Sequence, residues 1–204
     1  MRIAPTALVA AALAGGCSFT PVQVEVRQAL IEQLPDAVAQ AATRRATLLV
    51  MAPATAAPYD TPRIAYATAP HEIAYYARTE WARTPAQMLQ PLLVQAMRAT
   101  HAFAAVEAPP YIERYRYALH TEIRELRMDF STGSAVARLA LHARLGDEQT
   151  GRTLFDHDIA AEAPIAARTP EAAIAAANAA TAKVLAELAA EVVRALAPAP
   201  AGVH

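Results

Sequence analysis

The sequence predicts an α+β fold, a compact sandwich of a mostly antiparallel sheet with two principal helices, the C-terminal one long. Three observations carry that expectation. Thr84-Pro85 and Thr169-Pro170 each open a stretch whose apolar residues recur at helical spacing, Thr being a capping residue and Pro well suited to the first helical position. Between them, residues 115 to 159 alternate apolar and polar with period two, broken by two glycine-bearing turns, which is how half-buried strands read. Ahead of the first helix lie short apolar runs punctuated by proline. Runs of strands with segregated helices build an α+β domain rather than a doubly wound one.

Taken in order, Val24 to Leu34 places Val26, Leu30 and Leu34 on one face of a short helix that Pro35 stops. Ala46 to Met51 is a strand ended by Pro53. Tyr59-Asp60-Thr61-Pro62 is turn chemistry, and Arg63 to Ala67 and His71 to Ala77 form two short strands around a turn at Pro70. The helix opened by Thr84-Pro85 buries Met88, Leu89, Leu92, Leu93, Ala96 and Met97, with Pro91 inside it as a cause of late start or kink. Phe103 to Val106 is a brief strand, and Pro109-Pro110 a loop. Then Tyr115, Tyr117, Leu119, Thr121 and Ile123 share one strand face, after which the apolar phase moves to Leu126, Met128 and Phe130. A phase change in a period-two element needs one extra residue, so a β-bulge is expected near Arg124–Glu125. Turns at Ser131–Ser134 and Gly146–Gly151 join this strand to Ala135–Leu145 and then to one carrying Thr153, Phe155 and Ile159, an antiparallel meander with one wet face. The last helix runs to about Leu196 with Ile174, Asn178, Thr181, Leu185, Leu188, Val192 and Leu196 along one side; Pro198-Ala199-Pro200 ends it.

A chain of 204 residues with a single cysteine suits one domain plus terminal segments. Arg2 is followed by an apolar stretch to Leu13 and then by Ala14-Gly15-Gly16-Cys17, which reads as a secretory signal with a small-residue cleavage site. The stretch is shorter than the roughly 20 apolar residues a membrane span needs, and charges are expected to interrupt every later apolar run. Small residues before a lone cysteine resemble the lipobox of bacterial lipoproteins, although Leu13 stands one place further from the cysteine than usual. Lipidation of Cys17 would explain an odd thiol in an oxidising compartment, and two acyl chains anchor stably where one does not. Ser18, rather than aspartate, follows the cysteine, which favours the outer membrane. The expected organisation is a signal peptide at 1–16, a lipidated tether with a short helix at 17–45, a domain at 46–197 and a flexible tail at 198–204.

Removing the signal takes away Arg2 and no acid, leaving 17 basic against 19 acidic residues. That balance excludes nucleic acid as the partner. Six histidines invite a catalytic or metal reading, but His71, His101, His120, His142, His157 and His204 fall into no HExxH or other metal-ligand spacing. His120 and His142 fall on one solvent face of neighbouring strands, close enough for a weak pair. Asp156 and Asp158 flank His157 on alternate sides of a strand, so the three do not converge. No nucleophile elbow, P-loop or GxGxxG occurs. The sequence therefore offers no catalytic residue, no metal site and no cofactor. What it does offer is a concentration of aromatics: Tyr59, Tyr66, Tyr75, Tyr76 and Trp81 are five of the twelve Tyr, Trp and Phe residues. Tyr75 and Tyr76, adjacent in a strand, must point to opposite faces.

Tyr59-Asp60-Thr61-Pro62-Arg63-Ile64-Ala65-Tyr66, Glu72 to Ala77, and Glu80-Trp81-Ala82 with Pro85, Met88 and Leu89 resemble the signature of the ABC-type transport auxiliary lipoproteins, the PqiC-like, MCE-associated family. Phe103, Val106, Tyr117, Leu119, Asp129-Phe130 and Ala176-Ala177-Asn178 continue the pattern. Members often begin with a Tyr-rich strand soon after the cysteine. Residues 18–45 hold no tyrosine, so that edge strand is expected to be missing or replaced by the short helix. The resemblance implies a non-enzymatic lipoprotein subunit of an envelope lipid-transport system. It would be anchored by its lipid in the outer membrane, facing the periplasm, and would dock a periplasm-spanning MCE-domain protein of an ABC transporter complex. Tyr75, Tyr76 and Trp81 are the candidate partner surface; phospholipid and a homo-oligomer are compatible with it. The alternative function is a carrier lipoprotein holding an acyl chain between helix and sheet.

Overall fold

The computed structural model describes residues 25–110, 113–131 and 133–197. The signal segment, Cys17 and the tail at 198–204 lie outside the described residues. In chain order the elements are β1 (Arg27–Ala29), β2 (Arg44–Val50), β3 (Ala54–Thr55), a 3-10 turn (Ala57–Tyr59), β4 (Arg63–Ala67), β5 (Ala74–Trp81), α1 (Pro85–Ala99), β6 (Phe103–Glu107), β7 (Tyr117–Asp129), β8 (Val136–Asp147), β9 (Arg152–Pro164) and α2 (Pro170–Leu196). Nine strands form one sheet and the helices pack on one face of it, so the α+β expectation holds.

The spine is β7. On one edge it pairs antiparallel with β8, which pairs antiparallel with β9, the meander that the alternation predicts. On its other edge β2, β3 and β4 pair in succession, all parallel. β6 extends β2 in parallel, while β5 extends β4 antiparallel and β1 closes that side in parallel along β5. This half of the sheet is mixed, because distant segments pair there and α1 supplies the crossover between β5 and β6. The expected bulge is present: Ile123 pairs with Leu141 and Glu125 with Ala140, leaving Arg124 unmatched. That single inserted residue keeps Leu119, Ile123, Leu126 and Met128 all on the helix side, each no more than 3% exposed.

Both helices begin where the Thr-Pro pairs place them. Gln87 Oε1 accepts the Thr84 N–H at 3.3 Å, closing a capping box, and Thr169 Oγ1 accepts from the Ala172 N–H at 3.2 Å. α1 runs from Pro85 through Pro91, which faces solvent. Contrary to the sequence expectation, α2 is long and apolar enough to cross a membrane by length and composition. Here its Val184, Leu185, Leu188 and Val192, fully buried, lie along the sheet against β7, β8 and β9.

The N-terminal region departs most from expectation. In place of a short helix before Pro35, the chain forms β1 on β5 and then an extended strap, and the edge strand expected to be missing is present. The physical reason shows in the exposures: Val26 and Leu30 are 45% and 46% exposed, while Ala29 and Ile31 are buried. A period-two strand has replaced the presumed helical face. Nor are residues 25–45 a free tether. Asn178 of α2 accepts the Glu32 and Gln33 N–H groups through Oδ1 at 2.9 and 3.0 Å, and donates through Nδ2 to Leu30 O at 2.9 Å. Leu34, Val38 and Ala41 pack on the core, and Ala41 N–H and Arg44 N–H donate to Thr100 O and Ala102 O at 3.0 Å each. Further corrections concern two tyrosine-rich strands. β5 begins at Ala74 and continues to Trp81, not His71 to Ala77, and Tyr115 precedes β7 and is exposed rather than sharing its buried face.

Candidate functional site

The β4–β5 corner gathers most of the aromatic motif. Asp60, Thr61 and Pro62 turn the chain from the 3-10 segment into β4, with Thr61 Oγ1 accepting the Arg63 N–H at 3.3 Å. Tyr75 stands on the face away from the helices. Its hydroxyl donates to Pro58 O at 2.9 Å, and the Arg63 guanidinium lies 4.0 Å over its ring, a cation–π pairing that holds the 3-10 segment, β4 and β5 together. Tyr76 points to the opposite face and packs on Tyr66, ring centroids 5.0 Å apart. Both tyrosines are half-buried, and Ile73, in the turn before them, is 42% exposed. Burial pushes the Tyr59 and Tyr76 hydroxyls up, with Glu125 adding to the first and Tyr66 to the second, so both stay protonated hydrogen-bonding groups.

Trp81 does not belong to a surface. It is 1% exposed, because β1 pairs along β5 as far as Trp81 and Thr79 and Trp81 turn inward together. The candidate partner surface therefore reduces to Tyr75 and Tyr76, with Ile73 beside them. Pro85, the first residue of α1, is buried, and Asn178 is the strap's fastening.

The sheet face away from the helices carries a charged lattice across β7, β8 and β9. Arg138 bridges Glu125 at 2.9 Å and Glu162 at 2.6 Å, and Arg127 contacts Glu125 and Asp129 at 2.7 and 3.1 Å. Asp156 and Asp158, two apart on β9, both reach His142 on β8, at 2.9 Å to Nε2 and 2.7 Å to Nδ1. Asp158 also meets Arg124 at 3.2 Å. The sequence separates His157 from its flanking aspartates but gives no sign that both aspartates converge on a histidine of the neighbouring strand. His157 points the other way, 3.9 Å from Glu191 of α2. His120 shares the outer face with His142 but faces Arg144 in register; burial and that guanidinium push it below its ordinary value. His71 and His101 are turn residues at positive φ. Among the described residues no group of His, Cys, Asp and Glu could hold a metal ion. Among the described residues the arrangement gives shape and charge for binding and brings no nucleophile and base together.

Comparison with known proteins places this geometry. A family model described as the ABC-type transport auxiliary lipoprotein component matches residues 23–189, a span that takes in the strap. The crystal structure of protein XCC0632 from Xanthomonas campestris, of the DUF330 family, superposes with a TM-score of 0.68 at 24% identity, over 83% of this chain and 92% of that one. An uncharacterised protein superposes at 0.62 with 16% identity, over 82% and 99% of the two chains. The hypothetical protein CT253 from Chlamydia trachomatis reaches 0.50 at 6% identity, over 74% and 99%. These likenesses establish the fold. No curated protein matches the chain.

Proposed function

The chain belongs to the family of ABC-type transport auxiliary lipoprotein components, and from that premise we propose that it docks a periplasm-spanning MCE-domain protein at the outer membrane as a non-enzymatic subunit of an envelope lipid-transport system. Cys17 carries the lipid anchor in this reading. The observation that carries it is the strap: residues 25–45 are bonded to α2 through Asn178 and to β5 through β1, so a pull on the N-terminus is borne by the folded domain. An anchored adaptor needs that coupling; a freely tethered enzyme does not.

The docking surface is the edge of the β4–β5 corner, with exposed Ile73 in the preceding turn and half-buried Tyr75 and Tyr76 on the two faces of that edge, aromatic and apolar area of the kind that favours protein contacts. The carrier alternative needs room between α2 and the sheet, and that interface is filled by fully buried Leu185, Leu188, Leu141 and Leu145. The test is co-purification of the full chain with the MCE-domain protein encoded beside it. Ile73→Asp and Tyr76→Ala weaken the complex while the melting transition persists. An unchanged complex with both variants folded rejects this surface.

A further inference from the structure

A broad hollow lies at the other end of the outer face. It measures about 790 Å3 and is lined by Arg45 and Thr47 of β2, Ala104 of β6, Arg114, Tyr115 and Arg116 before β7, and Glu148 and Gln149 of the β8–β9 turn. A second concavity of about 370 Å3 adjoins it, sharing Tyr115 and Glu148 and adding His120, Arg144 and Arg152. Five arginines thus surround two adjoining hollows in a chain whose acids outnumber its bases, 19 to 18.

Their pairing is uneven. Arg116 is held by Asp147, whose Oδ2 accepts from Nε and Nη2 at 3.2 and 2.9 Å. Asp147 is itself buried and takes the Gln149 and Thr150 N–H groups on Oδ1. Arg116 N–H donates to Thr47 O, and Glu148 N–H to Arg116 O, so the wall carrying Arg116 is fixed from both sides. Arg45, Arg114, Arg144 and Arg152 are exposed and form no ion pair with a carboxylate among the described residues. On the rest of the same face, Arg124, Arg127 and Arg138 are all paired. Unpaired guanidinium groups gathered at a concave site around one rigidly held arginine are the arrangement that receives a tetrahedral oxyanion, since each guanidinium presents paired donors. The exposed Tyr115 hydroxyl adds a neutral donor.

We propose that these adjoining hollows, with Arg45, Arg114, Arg116, Arg144, Arg152 and Tyr115, form a binding site for a phosphate group, carried by a lipid headgroup or free in solution. The site is distinct from the β4–β5 corner, so its failure would leave the docking reading standing.

The test uses the full chain in a nonionic detergent, titrated with dihexanoyl phosphatidylglycerol or inorganic phosphate and followed by phosphorus NMR line broadening. Wild type broadens the lipid resonance, and the Arg45→Gln/Arg114→Gln double variant weakens binding by about tenfold or more, the loss expected for two charge-assisted contacts. Arg194→Gln, on the far helix, changes nothing. If inorganic phosphate competes at equal strength, the source is free phosphate; if it competes weakly, the lipid headgroup is read as a whole. Both outcomes support the site. The proposal is overturned if neither probe binds, if binding survives the double substitution in folded protein, or if polyglutamate binds and phosphate fails to displace it, which would make the patch a protein contact.

Discussion

The two faces of the β7–β8–β9 meander share the same strands and differ in almost everything else. Toward α2, Leu119, Ile123, Leu139, Leu141 and Leu145 are essentially inaccessible to water. Away from it, Glu125, Arg127, Arg138, His142, Asp158 and Glu162 hold one another in pairs that remain partly wetted. Burial of apolar area scales with stability at about 25 cal/mol per Å2, whereas wetted ion pairs contribute on the order of 0–1 kcal/mol each. The helix face therefore carries the stability, and the open face is free to be specialised for recognition.

Substitutions should divide along that line. Leu188→Ala or Trp81→Ala, each removing a fully buried side chain, lowers unfolding free energy by about 3–5 kcal/mol, read by urea denaturation; a loss below about 1 kcal/mol would mean that the helix face is loosely packed. Asn178→Ala removes three backbone contacts of the strap and costs about 1–2 kcal/mol. It also raises hydrogen exchange at the Glu32 and Gln33 amides more than in the meander, a pattern that general destabilisation would not give.

Acid sharpens the comparison. The Arg116 hydrogen bond holds the Asp147 carboxyl below its ordinary range, the Ser131 hydroxyl does the same for Asp129, and His142 does so for Asp158. A depressed native value means that the unfolded chain binds more protons, so the stability these groups confer is present above about pH 4 and is lost as pH falls through the native values. Thermal melts between neutral and strongly acidic pH should show that decline, with a shallower slope in Asp147→Asn. The smallest effect belongs to Arg138→Gln on the open face, about 1 kcal/mol or less by the same melts and smaller still in high salt.

The meander was legible because its information is local. Alternation fixed which residues of β7 and β8 face the helices, and the phase change between Ile123 and Leu126 located the bulge at Arg124. Thr-Pro pairs located both helix starts for the same reason. In the strap the sequence points to a helix because Val26, Leu30 and Leu34 fit helical spacing, whereas the chain buries Ala29 and Ile31 at strand spacing. What decides between the two is β5, some fifty positions later along the chain. The sequence leaves the burial of Trp81 invisible for a related reason: it depends on that same distant pairing. The grip of Asp156 and Asp158 on His142, and the meeting of Arg45 with Arg114 and Arg152 around adjoining hollows, depend on inter-strand register, which no single segment encodes.

The account rests on a domain fastened to its own N-terminus and held at a membrane through it. Intact mass spectrometry of the mature chain from native envelopes tests this most directly. The predicted result is a chain beginning at Cys17 and carrying a diacylglyceryl group with fatty acyl chains. A mature chain with an unmodified Cys17 thiol, or one cleaved elsewhere, would contradict the anchored-adaptor account.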